Sequence, residues 1–372
     1  MAPETGTPAS TFGSPARTSQ ATVHVGTVVI SPAVGLAPMA GMTDTAFRRQ
    51  VKRWGGCGLV VTEMVSSEGL VRGSDRTLEY AEFTEEERPV AVQVFGGNPS
   101  RMAAAARIVE RLGADIVDVN MGCPVPKVAK HDAGCSLMRD PAHAARIVSE
   151  MTKAVRIPVT VKMRAGWNDR EVNAPDLAKM LQDAGAAAVA VHGRTAADSY
   201  RGQADWDLIA RVADSVSIPV FGNGDLIEPA DLVAKWRSSG IAGVLIGRGV
   251  LRNPWIFAQA SALANGHAPK AVTAEDRRAF LLEYIDLLLG ERVNEPAGFR
   301  HEAGSKRLVT PAQGRERWVI NKLRALAAWF TKGLDNGSQL RVAVNRAESI
   351  AELRETICAF FRGHEDPRHC AA

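Results

Sequence analysis

The chain lacks the marks of a membrane or secreted protein. Its 372 residues hold no apolar stretch of about 18 residues, so no membrane-spanning helix is expected. Residues 1–22 are rich in Thr, Ser, Ala and Pro without the apolar centre of a signal peptide, and read as a disordered tail. The five cysteines (Cys57, Cys123, Cys135, Cys358 and Cys370) are odd in number and irregularly spaced. None forms a C-x-x-C pair and no His stands at zinc-finger spacing, so no metal site is expected. Free thiols imply a reducing compartment, and the cytoplasm is the expected location. No Gly-x-Gly-x-x-Gly lies between a strand and a helix, which excludes a Rossmann dinucleotide domain. No fixed-period repeat occurs, which excludes a solenoid. Net charge is only +4, which permits a nucleic-acid partner without requiring one.

What is present is a long alternating pattern. Short apolar runs at 33–37, 58–62, 90–95, 116–119, 159–163, 188–192, 219–222 and 243–247 have the length and composition of strands buried on both faces. Helical segments separate them. Asp44, Asp140-Pro141, Asp205 and Glu228-Pro229 stand where helices begin, and Gly113, Gly185 and Gly240 where they end. Eight such units over residues 23–270 predict an α/β fold, a (β/α)8 TIM barrel. Residues 23–29 read as an extra strand beneath it. Beyond 270 strand signals stop. Helical patterns at 276–289, 318–330 and 350–361 predict a small C-terminal helical domain over 271–362. A long loop is expected at 291–317 and a frayed tail at 363–372.

In such barrels the chemistry gathers at the C-terminal ends of the strands. The residues found there are Pro38-Met39-Ala40-Gly41, Glu63, Gln93, Asn120 to Pro124, Lys162 with Arg164, His192, Asn223-Gly224-Asp225 and Gly247-Arg248. The last two sets suit a phosphate, through glycine backbone and a guanidinium. Lys162, His192 and Gln93 are donors suited to the polar edge of an isoalloxazine or to another oxyanion. Cys123, in a loop rather than a core, is placed to act as an acid near substrate.

Several longer motifs occur together. They are Leu36-Ala37-Pro38-Met39-Ala40-Gly41-Met42-Thr43-Asp44, Asp118-Val119-Asn120-Met121-Gly122-Cys123-Pro124, and Val161-Lys162-Met163-Arg164-Ala165-Gly166-Trp167. His192-Gly193-Arg194-Thr195 follows, with Tyr200-Arg201-Gly202 and Ile246-Gly247-Arg248-Gly249. In this order they resemble the tRNA-dihydrouridine synthase family throughout the barrel. The run Trp329-Phe330-Thr331-Lys332-Gly333-Leu334 is similar to the bacterial B-type branch.

The resemblance implies an FMN enzyme reduced by NADPH, with NADH the alternative donor. Hydride passes from FMN N5 to C6 of uracil and Cys123 protonates C5. Pro38, Met39 and Ala40 would line the flavin ring. Gln93, Lys162 and His192 would meet its polar edge and ribityl chain, and Asn223, Gly224, Asp225, Gly247 and Arg248 its phosphate. Asn120 and Arg164 would read the uridine. Residues 300–346 carry ten Lys or Arg against three acids, so Arg324 and Lys332 are expected at the tRNA backbone. A monomer with no obligatory protein partner is expected. The chain departs from many relatives in placing Ala325 and Leu326 where they carry a basic residue and a His. The competing readings are an FMN-barrel dehydrogenase of a free pyrimidine and a non-catalytic tRNA-binding protein.

Overall fold

The computed structural model describes residues 22–129, 132–290 and 312–362. The tails expected at the two ends therefore lie outside the described residues, save for Thr22. Among the described residues eleven strands are formed: β1 (Val23–Val25), β2 (Val28–Ile30), β3 (Val34–Leu36), β4 (Leu59–Val61), β5 (Val65–Ser66), β6 (Val90–Phe95), β7 (Ile116–Met121), β8 (Val159–Arg164), β9 (Ala188–His192), β10 (Val220–Asn223) and β11 (Gly243–Ile246). The barrel helices are α1 (Thr45–Arg53), α2 (Ser67–Val71), α3 (Asp75–Ala81), α4 (Pro99–Arg111), α5 (Pro126–Ala129), α6 (Pro141–Ala154), α7 (Ala174–Asp183), α8 (Trp206–Ser215), α9 (Pro229–Ser238), α10 (Arg248–Arg252) and α11 (Ile256–Ala264). Then come α12 (Ala274–Gly290), α13 (Ala312–Phe330), α14 (Gly337–Arg346) and α15 (Ile350–Arg362).

Eight parallel strands run in the order β4-β3-β11-β10-β9-β8-β7-β6, and pairing of β4 with β6 closes the ring. The barrel and the following helices match the sequence expectation. Local chemistry explains the helix starts. The side chains of Asp44, Asn98, Asp140 and Asp205 each accept a backbone N–H of the first turn, satisfying donors that lack an intrahelical partner. Gly113, Gly185 and Gly240 take positive φ behind α4, α7 and α9, a conformation that favours glycine.

Three details differ from the sequence expectation. Residues 23–29 are part of a hairpin, β1 paired antiparallel to β2, because Gly26 turns the chain at φ +57°. Its Val25 and Ile30 close the barrel floor against Leu59, Ala91 and Ile116. Residues 312–317, expected in a loop, are the first turns of α13. There the Arg315 guanidinium donates to the Leu288 carbonyl at the end of α12 and lies 4.3 Å from the Trp318 ring centre. The rest of that loop, 291–311, lies outside the described residues. Helix α14 was not anticipated. It opens on Gly337 after Asn336 in the left-handed region, a start with little propensity behind it.

Side-chain parity sorts the barrel interior into layers. Ile116 and Asp118 of β7, Thr160 of β8, Ala188 and Ala190 of β9 and Phe221 of β10 surround a small space near the floor. Two residues further along each strand, Asn120, Lys162, His192 and Asn223 line the mouth. The same face thus turns from largely apolar to polar within one strand step.

Gly58 enters β4 under the tightest constraint: a Cβ there would lie 1.9 Å from the Pro32 carbonyl oxygen. Backbone cannot rotate out of the way. Gly58→Ala is therefore expected to lower stability by about 1–3 kcal/mol, read as a shifted urea midpoint with unchanged slope. An unchanged midpoint would show that the 31–33 turn yields freely.

Candidate active site

A cavity of about 750 Å3 opens at the C-terminal ends of the strands, within the usual size range of small-molecule and cofactor sites. Every barrel residue given a binding or catalytic role from the sequence lines it: Pro38, Met39 and Ala40 after β3, Gln93 on β6, Asn120 on β7 and Cys123 just past it, Lys162 and Arg164 on β8, His192 on β9, Asn223 at the end of β10 with Gly224 and Asp225 after it, and Gly247 and Arg248 after β11. Gly41 and Glu63, also found at strand ends, do not line it. The two residues expected to grip RNA do not line it. Arg324 is half-buried and donates to the Ala347 carbonyl within the helical bundle. Lys332 is exposed, with its ammonium 3.9 Å from the ring centre of Trp329. Trp329 itself forms part of the cavity wall.

One wall rests on a buried chain of hydrogen bonds. Thr160 Oγ1 donates to Asp118 Oδ1 at 2.6 Å, and Gln93 Nε2 donates to Asp118 Oδ2 at 2.7 Å. Asn120 Nδ2 donates to Gln93 Oε1 at 2.7 Å. Asn120 Oδ1 in turn accepts the N–H groups of Gly122 and Cys123, at 3.2 and 3.0 Å. The amide of Gln93, expected at a ligand's edge, is thus largely spent inside the protein. Burial pushes the Asp118 carboxyl above its ordinary range, against the pull of Gln93 and Thr160.

The Cys123 loop is held from its other side as well. Cys135 donates its N–H to the Cys123 carbonyl at 3.1 Å, and Arg164 Nε donates to the Gly122 carbonyl at 2.8 Å. Arg164 also bonds the carbonyls of Thr195 and Ser199, both at 2.9 Å. Its side chain therefore ties two loops of the rim together. Cys57 and Cys135 are buried, and burial pushes both thiols up to about 11. Cys123 is the partly exposed thiol of the cavity.

The wall that continues from β8 round to β11 is cationic. Lys162 Nζ donates to Asn223 Oδ1 at 3.2 Å, and Asn223 is itself anchored to the Leu245 carbonyl. Burial, with Arg164 nearby, lowers the Lys162 ammonium to about 8, while Asp118 opposes the shift. Burial and then the charges of Lys162, Arg164, Arg194 and Arg248 press His192 down to about 2, so its ring is neutral. Arg194 Nη2 clasps both oxygens of Asp225 at 2.9 and 2.8 Å, and Arg248 approaches the same carboxylate at 3.7 Å. Asp225 accordingly aims two guanidiniums. Burial works to raise its pKa, but the Ala204 N–H and Arg194 hold it below its ordinary value. Gly224, at φ +124°, brings backbone against His192. Lys162, Arg164 and Arg248 line this concave pocket, with Arg194 buried behind Asp225, and favour an anionic ligand.

Four residues quoted in the sequence motifs were given no role there: Asp118, Arg194, Tyr200 and Trp329. Asp118 lies two residues before Asn120 in an otherwise apolar run, and that spacing was the available signal. Tyr200, at the rim, has Arg248 at 4.5 Å and Arg164 at 5.8 Å from its ring centre. Nothing local placed Trp329 at the cavity, which it reaches from a different part of the chain.

The profile of the dihydrouridine synthase (Dus) family matches residues 35–359. A probable tRNA-dihydrouridine synthase of Rickettsia conorii is 36% identical over 91% of this chain and 96% of its own. A tRNA-dihydrouridine synthase B of Xanthomonas campestris is 37% identical over 94% of this chain and 100% of its own, and that of Pseudomonas aeruginosa 38% over 85% and 98%. Among solved structures, histamine dehydrogenase from Rhizobium superposes with a TM-score of 0.52 at 12% identity, over 72% of this chain and 51% of that one. Morphinone reductase gives 0.50 at 12% identity, over 72% and 94%. These two likenesses concern the barrel fold alone. With the family profile covering the barrel and the helices behind it, the chain belongs to the dihydrouridine synthase family.

Proposed function

We propose that this chain reduces the C5–C6 double bond of uridines in tRNA, with FMN in the barrel mouth, NADPH as electron source and Cys123 as proton donor. The observation that carries the reading is the meeting, in one cavity, of a cationic wall and a partly exposed thiol on a braced loop. The residues present fit FMN. Arg248, aimed by Asp225, and the backbone at Gly224 and Gly247 would hold its phosphate. Pro38, Met39 and Ala40 would face the ring, and Lys162 and His192 its polar edge and ribityl chain. When bound, FMN reduced by NADPH supplies the hydride that saturates C6 of uracil.

The protein's own residues do the rest. Cys123 Sγ gives its proton to C5, and solvent reprotonates the thiolate. Asn120 fixes the Cys123 backbone, so the thiol stands at a constant place above the cavity floor. Arg164 braces Gly122 and reaches the rim where the uracil would enter. A uridine in folded tRNA must leave its stack to do so. Trp329 and Lys332, at the rim, suit a displaced nucleotide and its phosphate, and the helical unit over 271–362 would meet the tRNA. A cytoplasmic monomer without an obligatory protein partner completes the reading. Among the described residues no helix is long and apolar enough to cross a membrane.

The reading is tested by nucleoside mass spectrometry of unmodified tRNA incubated with protein, FMN and NADPH or NADH. Dihydrouridine should form in tRNA and not from free uridine, faster with NADPH. Turnover of free uridine alone would assign the chain to small pyrimidines instead.

Cys123→Ala should retain FMN and NADPH oxidation while dihydrouridine formation falls about 10²–10⁴-fold. Equal product from the variant would remove Cys123 from the acid role.

Lys162 yields a pH prediction. Its ammonium titrates near 8 in the free protein, and an anionic ligand beside it raises that value. Affinity for FMN should therefore be full below pH 8 and decline as pH rises through it. Lys162→Met should bind FMN more weakly at pH 7 and lose this decline. A Lys162→Met titration with the wild-type pH profile would place the titrating group elsewhere.

A further inference from the structure

The helical bundle reaches into the barrel at one polar point. Lys322 projects from α13, and its Nζ lies 2.9 Å from Asp44 Oδ2 and 3.7 Å from Glu63 Oε1. The same ammonium donates to the Gly41 carbonyl at 2.9 Å. Glu63 Oε2 accepts the Gly41 N–H at 2.6 Å. Both faces of this one residue's backbone are therefore clamped, one from the end of β4 and the other from a helix some 280 residues away in sequence. Asp44 also accepts a hydrogen bond from Tyr284 of α12 at 2.9 Å. Lys322, Asp44 and Glu63 have side chains only 14%, 11% and 7% exposed, so solvent does little to screen their attraction.

Gly41 ends the segment Pro38-Met39-Ala40, which walls the catalytic cavity. Helix α13 touches that cavity a second time through Trp329, seven residues or about two turns beyond Lys322 on the same side. The bundle does not depend on Lys322 for its attachment. Phe47 of α1 meets Phe280 and Tyr284 of α12 edge-on, each at 6.1 Å, and Trp255 packs on Phe280 and Phe330 at 5.6 and 6.2 Å. This apolar contact meets the ionic one at Tyr284, whose hydroxyl bonds Asp44, but does not involve Lys322. What Lys322 adds is specific to the loop.

We propose that Lys322 is a positioning residue, which sets the Pro38–Gly41 segment by bridging Asp44, Glu63 and the Gly41 carbonyl and so ties the geometry of the cavity wall to the helical bundle. Without it two buried carboxylates face each other with no common cation, and the Gly41 carbonyl is released. The loop then loosens while the aromatic contact keeps the bundle docked. The first consequence concerns this chain alone. The second rests on the proposal that the cavity holds FMN.

The test compares the full-length wild type with Lys322→Met and Lys322→Arg in two measurements. Hydrogen exchange of the ligand-free proteins should show faster exchange in a peptide covering residues 36–43 in Lys322→Met, with other barrel peptides unchanged. FMN titration by flavin fluorescence should show Kd raised about tenfold in Lys322→Met and partly restored in Lys322→Arg. Should Lys322→Met fail to fold, Lys322→Gln, which keeps a donor without the charge, is expected to show the same changes at smaller size. Wild-type exchange in 36–43 together with wild-type FMN affinity would overturn the proposal. So would faster exchange throughout the barrel, which would mark a general structural role. A wild type that binds no FMN would defeat the cofactor reading, and the exchange measurement would still decide the clamp.

Discussion

The hydrogen-bond chain from Thr160 through Asp118, Gln93 and Asn120 is the constraint on which the upper barrel depends. It joins three neighbouring strands across their interior faces and ends on the N–H groups of Gly122 and Cys123. A buried polar group without a partner is costly, so such a chain holds only when each member is satisfied. Satisfied, it leaves the Cys123 loop one position. That rigidity holds the partly exposed Cys123 thiol at one place on the cavity wall.

The other half of the site works by concentration of charge. Lys162, Arg164, Arg194 and Arg248 converge on a space where Asp225 is the near counter-charge. Burial first, and then this mutual repulsion, keep His192 neutral and lower the Lys162 ammonium, and an anion would relieve the repulsion. Asp225 turns from the phosphate ligand expected of it into the group that aims two guanidiniums. A carboxylate in direct contact with phosphate would repel it, so holding the arginines is the role its geometry suits.

The helices after residue 274 complete the active centre. Trp329 closes part of the cavity wall and Lys322 reaches the loop beneath it. One helix therefore carries both a residue of the cavity wall and the ammonium that bonds the loop at Gly41. An aromatic interface and an ion cluster both join the bundle to the barrel.

By itself the sequence determined the barrel, because short apolar runs alternating with helical segments are local signals repeated eight times. It also determined which residues gather at the mouth, because strand ends in a closed parallel barrel converge whatever the loops do. The family motifs carried the chemistry. Tertiary structure decided the rest. Gln93 and Asp225 are engaged by partners no local pattern announces, Asp118 on β7 and Arg194 in the loop after β9. Arg324 bonds the carbonyl at Ala347 because α13 and α14 pack together, and no periodicity announces such a partner. The start of α13 and the Lys322 clamp were hidden for the same reason: each rests on a contact between residues far apart in the chain, whose energy is absent until the chain has folded.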